Sequence, residues 1–172
     1  MKLILLLFSL AALAGTTGCV SQNIPLIEDN SKNSTKVRFV SPHETGWIDL
    51  YPETDCNNGA HVVFDNPVDN FIEPLRGHLP KRVGMIDSPD PSSWEAAEYS
   101  FKGGQTINIA ATHFPGRCLG GISFPTEPGS QYEVVFVSNT LSGCRFQVSK
   151  LTLLNNSPHR EPVQGVGPLI CK

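Results

Sequence analysis

The sequence predicts an all-β chain, an antiparallel β-sandwich of the immunoglobulin-like or transthyretin-like kind with about eight or nine short strands. Three observations predict it. Short runs rich in β-branched and aromatic residues recur along the chain, separated by Gly, Pro and Asn. Two dipeptides, Gly103-Gly104 and Pro128-Gly129, have the chemistry of tight turns, in which glycine takes up positive φ at little steric cost. Finally, Tyr132, Val134 and Phe136 alternate with Glu133, Val135 and Val137, so both faces of that run are largely apolar, as in a central strand covered on two sides.

The chain opens on Met1 and Lys2 and then an apolar run from Leu3 to Ala14 broken only by Ser9. This is too short for a comfortable membrane span and reads as a signal peptide over residues 1–18. Gly18 and Thr17 ahead of Cys19 resemble the lipobox of bacterial lipoproteins, although Thr16 stands where that motif prefers an aliphatic residue. The resemblance implies lipidation of Cys19, which would become the mature N-terminus. Ordinary cleavage after Ala14 is the alternative, and it would leave an unpaired thiol among five cysteines in an oxidising compartment. Several acyl chains on one cysteine hold a protein stably to a membrane, whereas a single chain is marginal. Val20 follows Cys19 where a retained inner-membrane lipoprotein would carry Asp, so the family rule implies the outer membrane.

Residues 19–36 are polar and interrupted by Pro25, the composition of a flexible tether. Residues 37–172 are expected to form one domain. Its strand candidates are 37–40, 47–51, 61–64, 83–86, 99–101, 106–111, 121–124, 132–137 and 144–151. Gly103-Gly104 is expected to close a hairpin between the runs at 99 and 106. Pro128-Gly129 is expected to start a meander of 121–124, 132–137 and 144–151. Phe146 and Val148 lie on one face while Leu151 and Leu153 fall on the other, which a bulge near Ser149 and Lys150 would reconcile. At most one short helix is expected, near 91–97, where Ser92 and Glu95 offer capping chemistry.

Once Lys2 is removed with the leader, twelve Lys and Arg face sixteen Asp and Glu, a net charge of −4 with histidines neutral. That balance argues against nucleic-acid binding and against general binding to anionic lipid. Cys56, Cys118, Cys144 and Cys171 permit three pairings. The meander would bring Cys118 and Cys144 to one end of a sheet, which favours Cys118–Cys144 and leaves Cys56–Cys171. Gaps this long do not match the paired short spacings of a zinc site. His43, His61, His78, His113 and His159 are scattered, and no nucleophile elbow, phosphate loop or dinucleotide fingerprint is present. No catalytic residue, metal or cofactor is therefore expected.

A binding loop is expected between Asn66 and Arg82, where Phe71 and Leu75 stand beside Arg76, His78, Lys81 and Arg82. The same residues would also serve to cover an open sheet end. The segment from His113 to Arg117 is a weaker second candidate.

The run Phe124-Pro125-Thr126-Glu127-Pro128-Gly129-Ser130-Gln131-Tyr132-Glu133-Val134, followed by Cys144-Arg145-Phe146-Gln147-Val148, resembles a pattern in small lipoproteins of Gram-negative bacteria. The resemblance brings no activity and no catalytic residues with it. The function expected from the sequence is that of a non-catalytic envelope lipoprotein, held to the membrane by its lipid and binding an envelope protein or cell-wall polymer. Two alternatives stand beside it. One is a cell-wall hydrolase with a fold-assembled carboxylate or histidine site, and the other is an inhibitor of a host or rival hydrolase.

Overall fold

The computed structural model describes residues 29–41, 46–51, 60–64, 82–89, 96–113, 118–139 and 143–169. These residues form an all-β sandwich of two five-stranded sheets. In chain order the strands are β1 (Thr35–Val40), β2 (Gly46–Tyr51), β3 (Ala60–Phe64), β4 (Ala96–Phe101), β5 (Thr106–His113), β6 (Cys118–Pro125), β7 (Gln131–Asn139), β8 (Gly143–Leu154), β9 (Ser157–Pro162) and β10 (Gly167–Pro168). The first sheet has the order β4-β1-β7-β8-β9 and the second β10-β6-β5-β2-β3. One pairing departs from an all-antiparallel plan, because β1 runs parallel to β7.

Alternation along each strand builds the core. Val37 and Phe39 of β1, Ala97 and Phe101 of β4, Tyr132, Val134 and Phe136 of β7, and Val148 of β8 face inward from the first sheet. They meet Ile48, Leu50, Ile107, Ile109 and Phe124 of the second sheet. The tilted ring pair Phe124–Tyr132, with centroids 5.9 Å apart, joins the two layers.

Both expected turns form, but each links the two sheets instead of closing a hairpin. Gly104 has φ 77° and Gly129 φ 73°, and the Ser130 amide closes the second turn on Glu127 O at 3.2 Å. Since β6 lies in the opposite sheet from β7 and β8, the expected meander is not formed. A turn's positive φ fixes the local reversal, and burial of both inner faces then decides which sheet the next strand joins. Residues 29–34 are part of this end of the sandwich. Asp29 N–H donates to Ser100 O at 3.2 Å and Gly129 N–H to Asn33 O at 3.1 Å, so the folded domain begins before residue 37.

Three further expectations are corrected. The register between β7 and β8 is continuous from Gln131↔Leu151 to Asn139↔Gly143, so there is no bulge at Ser149 and Lys150. Leu151 is buried instead on the outer face of the first sheet. Ala96 and Ala97 open β4 and are not helical; pairing with β1 places Ala97 in the core and Ala96 on the other face, which overrides a weak helical preference. Residues 91–95 lie outside the described residues. The segment 83–86 is a strap crossing the first sheet and not a strand, and Gly84 at φ 71° and Asp87 at φ 54° interrupt any extended run.

β9 was not expected from sequence. Asn155 (φ 51°) and Asn156 (φ 62°) form a two-residue turn of the primed type, which matches the twist of its flanking strands. Val163 N–H donates to Val148 O at 3.3 Å, which fixes the parity of the hairpin. Pro158, Arg160 and Pro162 therefore turn their backbone nitrogens to the open edge, where the two prolines have no N–H to offer. This edge is poorly suited to adding another strand. At the opposite edge, β4, the carbonyls of Ala96 and Ser100 are taken by Arg82 and by Asp29 N–H.

Candidate functional site

The outer face of the first sheet carries a row of charges at strand centres. Arg38 on β1 stands opposite Glu98 on β4 and Glu133 on β7. Each of the three is flanked by residues that face the core, so each points to the other side of the sheet. There the strap of residues 82–89 covers them. Arg38 is 1% exposed, Glu98 0% and Glu133 6%.

The geometry satisfies nearly every polar atom of the row. Arg38 Nε donates to Glu98 Oε1 at 3.1 Å, Nη1 to Glu133 Oε2 at 2.9 Å and Nη2 to Ile86 O at 2.6 Å. Arg160 on β9 donates from Nε to Glu133 Oε1 at 2.6 Å and from Nη2 to Glu133 Oε2 and Asp87 Oδ2, both at 3.1 Å. Glu98 Oε2 accepts the Val83 amide at 3.0 Å and the Met85 amide at 3.4 Å, while Ser88 Oγ donates to Oε1 at 2.7 Å. Gln131 Oε1 accepts the Ile86 amide at 2.7 Å. Charges thus alternate along Glu98–Arg38–Glu133–Arg160–Asp87, and the strap is held by their remaining hydrogen-bonding capacity. A cavity of about 270 Å³ opens beside Arg38, Asp87, Ser88 and Arg160.

Burial by itself would raise both glutamates. For Glu98 the hydrogen bonds from Ser88 and Val83 and the pairing with Arg38 outweigh it, and its pKa falls below the usual value. For Glu133 the bonds and charges of Arg160 and Arg38 do the same. Glu133 in turn raises the pKa of Arg160. All three stay charged at neutral pH, so the row acts as a clamp and is poorly suited to moving protons.

The depressed carboxyls fix the sign of a pH effect. A group whose native pKa lies below its unfolded value adds stability above the unfolded value, near 4.5 for these glutamates, and that stability is lost as pH falls through the native pKa. Urea midpoints are therefore expected to be flat from neutrality to about pH 5 and to drop below about pH 4.5. In Glu98→Gln the fall should be shallower, because one of the two linked groups no longer titrates.

A second concavity, of about 470 Å³, lies at the end of the sandwich where β1 begins. Its lining includes Asn30, Lys32, Lys36, Ser100 and Gln131, with no carboxylate among the residues that line it. Lys36 Nζ donates to Val83 O at 2.9 Å and to Gly84 O at 3.3 Å. Carbonyl dipoles hold this ammonium in place without neutralising it.

Of the residues expected to bind a partner, Phe71, Leu75, Arg76, His78 and Lys81 lie outside the described residues, as do Cys19, Cys56 and Cys171. Arg82 begins the strap and donates to Ala96 O. Cys118 opens β6 and Cys144 is the second residue of β8. Among the described residues no three His, Cys, Asp or Glu side chains converge as a metal-ligand set. The clamp itself was not foreseen. Its signal was a single charged residue between apolar neighbours, Arg38 between Val37 and Phe39 and Glu133 between Tyr132 and Val134 inside two strand candidates, and Glu98 between Ala97 and Tyr99 in the gap between the expected helix and the run at 99–101.

Comparison with family models, with curated proteins and with solved structures finds no match for this chain.

Proposed function

We propose that the chain is a non-catalytic cell-envelope lipoprotein, a sandwich tethered by lipid on Cys19 that binds or supports another envelope component, such as an envelope protein or cell-wall polymer. One observation carries the non-catalytic part. The two buried carboxylates, Glu98 and Glu133, are pushed below the ordinary range by arginines and amides, whereas glycoside hydrolysis by a carboxyl pair requires one of them raised to act as an acid. The leader and the odd cysteine at its end support the address, with the outer membrane as the destination. The runs from Phe124 to Val134 and from Cys144 to Val148 add the resemblance to small Gram-negative lipoproteins.

The topology also supports a Cys118–Cys144 bridge, though by a different route from the expected meander. Cys118 starts β6, and Cys144 pairs with Ser138 near the finish of β7, so both stand at the same end of the sandwich in opposite sheets. A bridge there would tie the two layers together. Cys56 and Cys171 are left as the second pair.

Mass spectrometry of material extracted from membranes is expected to find residues 19–172 with a diacylglycerol-type addition. Non-reducing peptide mapping should link Cys118 to Cys144. An unmodified N-terminus at Gly15 would end the lipoprotein reading. Release of soluble fragments from purified cell wall, abolished by Glu133→Gln, would replace the non-catalytic reading with the hydrolase.

A further inference from the structure

We infer that the end of the sandwich at which β1 begins is a second membrane contact, an uncharged hairpin tip beside a cationic cleft that together rest on phosphate-bearing lipid. The inference deepens the reading above and rests on the lipid anchor at Cys19.

Three observations meet at this end. The first is the β8–β9 hairpin. Gln131, the first residue of β7, pairs with Leu151, so residues 152–154 run past the start of β7 with β9 as their sole partner. At about 3.4 Å per residue the hairpin projects roughly 10 Å beyond that level. Leu153 and Leu154 are 58% and 57% exposed, the most exposed large apolar side chains among the described residues. Around the tip stand Thr152, Asn155, Asn156, Ser157 and Pro158, none of them charged. Leu153 and Leu154 point to opposite faces of the hairpin, so no single protein groove would cover both, whereas a lipid interface surrounds a tip on all sides.

The second observation is charge. Lys32 and Lys36 line the acid-free cleft, and Lys102 is exposed in the adjoining turn before Gly103. Among the described residues these three lysines form no ion pair. The carboxylates at this end have local partners: Asp29 accepts from Ser31 N–H and Oγ, Glu127 from Lys150, and Glu161 from Thr152. Only Glu127 is paired with a cation, and Asp29 and Glu161 keep their charge, so with Lys150 four lysines face three carboxylates here, and the positive charge is concentrated in the carboxylate-free cleft. Lysines this close to an anionic leaflet are attracted to its phosphates.

The third is the length of chain to the anchor. Asp29 is already hydrogen-bonded to the sandwich. The roughly ten residues from Cys19 to Asp29 span at most about 35 Å whatever their conformation. The anchor therefore holds this end of the domain within about 35 Å of the bilayer.

The test places the lipidated full chain carrying Leu154→Trp in vesicles of phosphatidylethanolamine and phosphatidylglycerol, with the unsubstituted chain as the background for Trp47 and Trp94. The difference emission is expected to shift to the blue and to be quenched by brominated acyl chains. Lys32→Glu with Lys102→Glu should reduce that quenching about fivefold or more. Leu154 is exposed, so the reporter should leave the fold intact. A water-like, unquenched emission from chains whose mass confirms the lipid would overturn the contact while leaving the anchor standing. If the mass shows no lipid, the anchor fails by itself; the same chain added to these vesicles must then bind in a salt-sensitive way, and no binding overturns the contact too. A dimer in sedimentation that Leu153→Ser with Leu154→Ser abolishes, without quenching, would instead assign the tip to a second copy of the chain.

Discussion

Replacing Arg38 by Met is expected to cost about 3–5 kcal/mol of folding stability, because it removes the cation from between two buried carboxylates. Glu133 would keep Arg160. Glu98 is fully buried and would retain only Ser88 and two backbone amides, so it must either stay charged without a counter-ion or take up a proton. Adding Glu98→Gln removes that charge while keeping an oxygen for the Val83 and Met85 amides. The double variant should therefore be less damaged than the sum of the single ones by about 1–3 kcal/mol. Urea unfolding with an unchanged m-value is the measurement. A loss under about 1 kcal/mol for Arg38→Met would mean that water reaches the row, as it does for surface pairs.

Gly103→Ala should be the next most harmful change, at about 3 kcal/mol, within the upper range for overpacking. A Cβ at Gly103 would lie 2.0 Å from Asn33 O and 2.8 Å from Pro128 Cα, both of them backbone atoms. Three segments meet at this point, and none can turn a side chain away to make room. Asn33 O also accepts the Gly129 amide, so displacing it breaks a bond that joins the entering chain to the Pro128-Gly129 turn. Gly84→Ala is the matched control. It has φ 71° and nothing within 4 Å of the added carbon, so it carries only the left-handed strain of about 1–2 kcal/mol. Equal losses at the two positions would show that conformation, not close packing, selects glycine at 103.

The strands were legible where alternation and turn chemistry agreed. Thr106–His113 and Gln131–Asn139 have both, and the doubly apolar run at 132–137 is a central strand, lined by the core on one side and covered by the strap on the other. The pairing partners were not legible. Gly104 and Gly129 announce a reversal, yet positive φ is equally at home in a hairpin and in an arch between sheets. Leu151 looked out of phase because the reading assumed one buried face, whereas the first sheet buries part of both. Ser157–Pro162 holds two prolines and no β-branched residue, so its strand state comes from β8 and from the Asn155-Asn156 turn, which was the signal available. Arg38, Glu98 and Glu133 form one cluster across separations of 60 and 95 residues. Only the sheet order brings them together.

The position of β1 has a kinetic consequence. Its neighbours in the sheet, β4 and β7, follow it by about 60 and 95 residues at the level of Arg38. At synthesis rates of roughly 5–20 residues per second, β1 waits about 5–20 s for β7 to leave the ribosome. Contacts so distant in sequence also form slowly once their partners exist. Throughout that interval Val37 and Phe39 have no completed core to enter, and the first sheet stays open. On the proposed export route, a leader over residues 1–18 would meet the export apparatus while the strand behind it is still an unfolded thread.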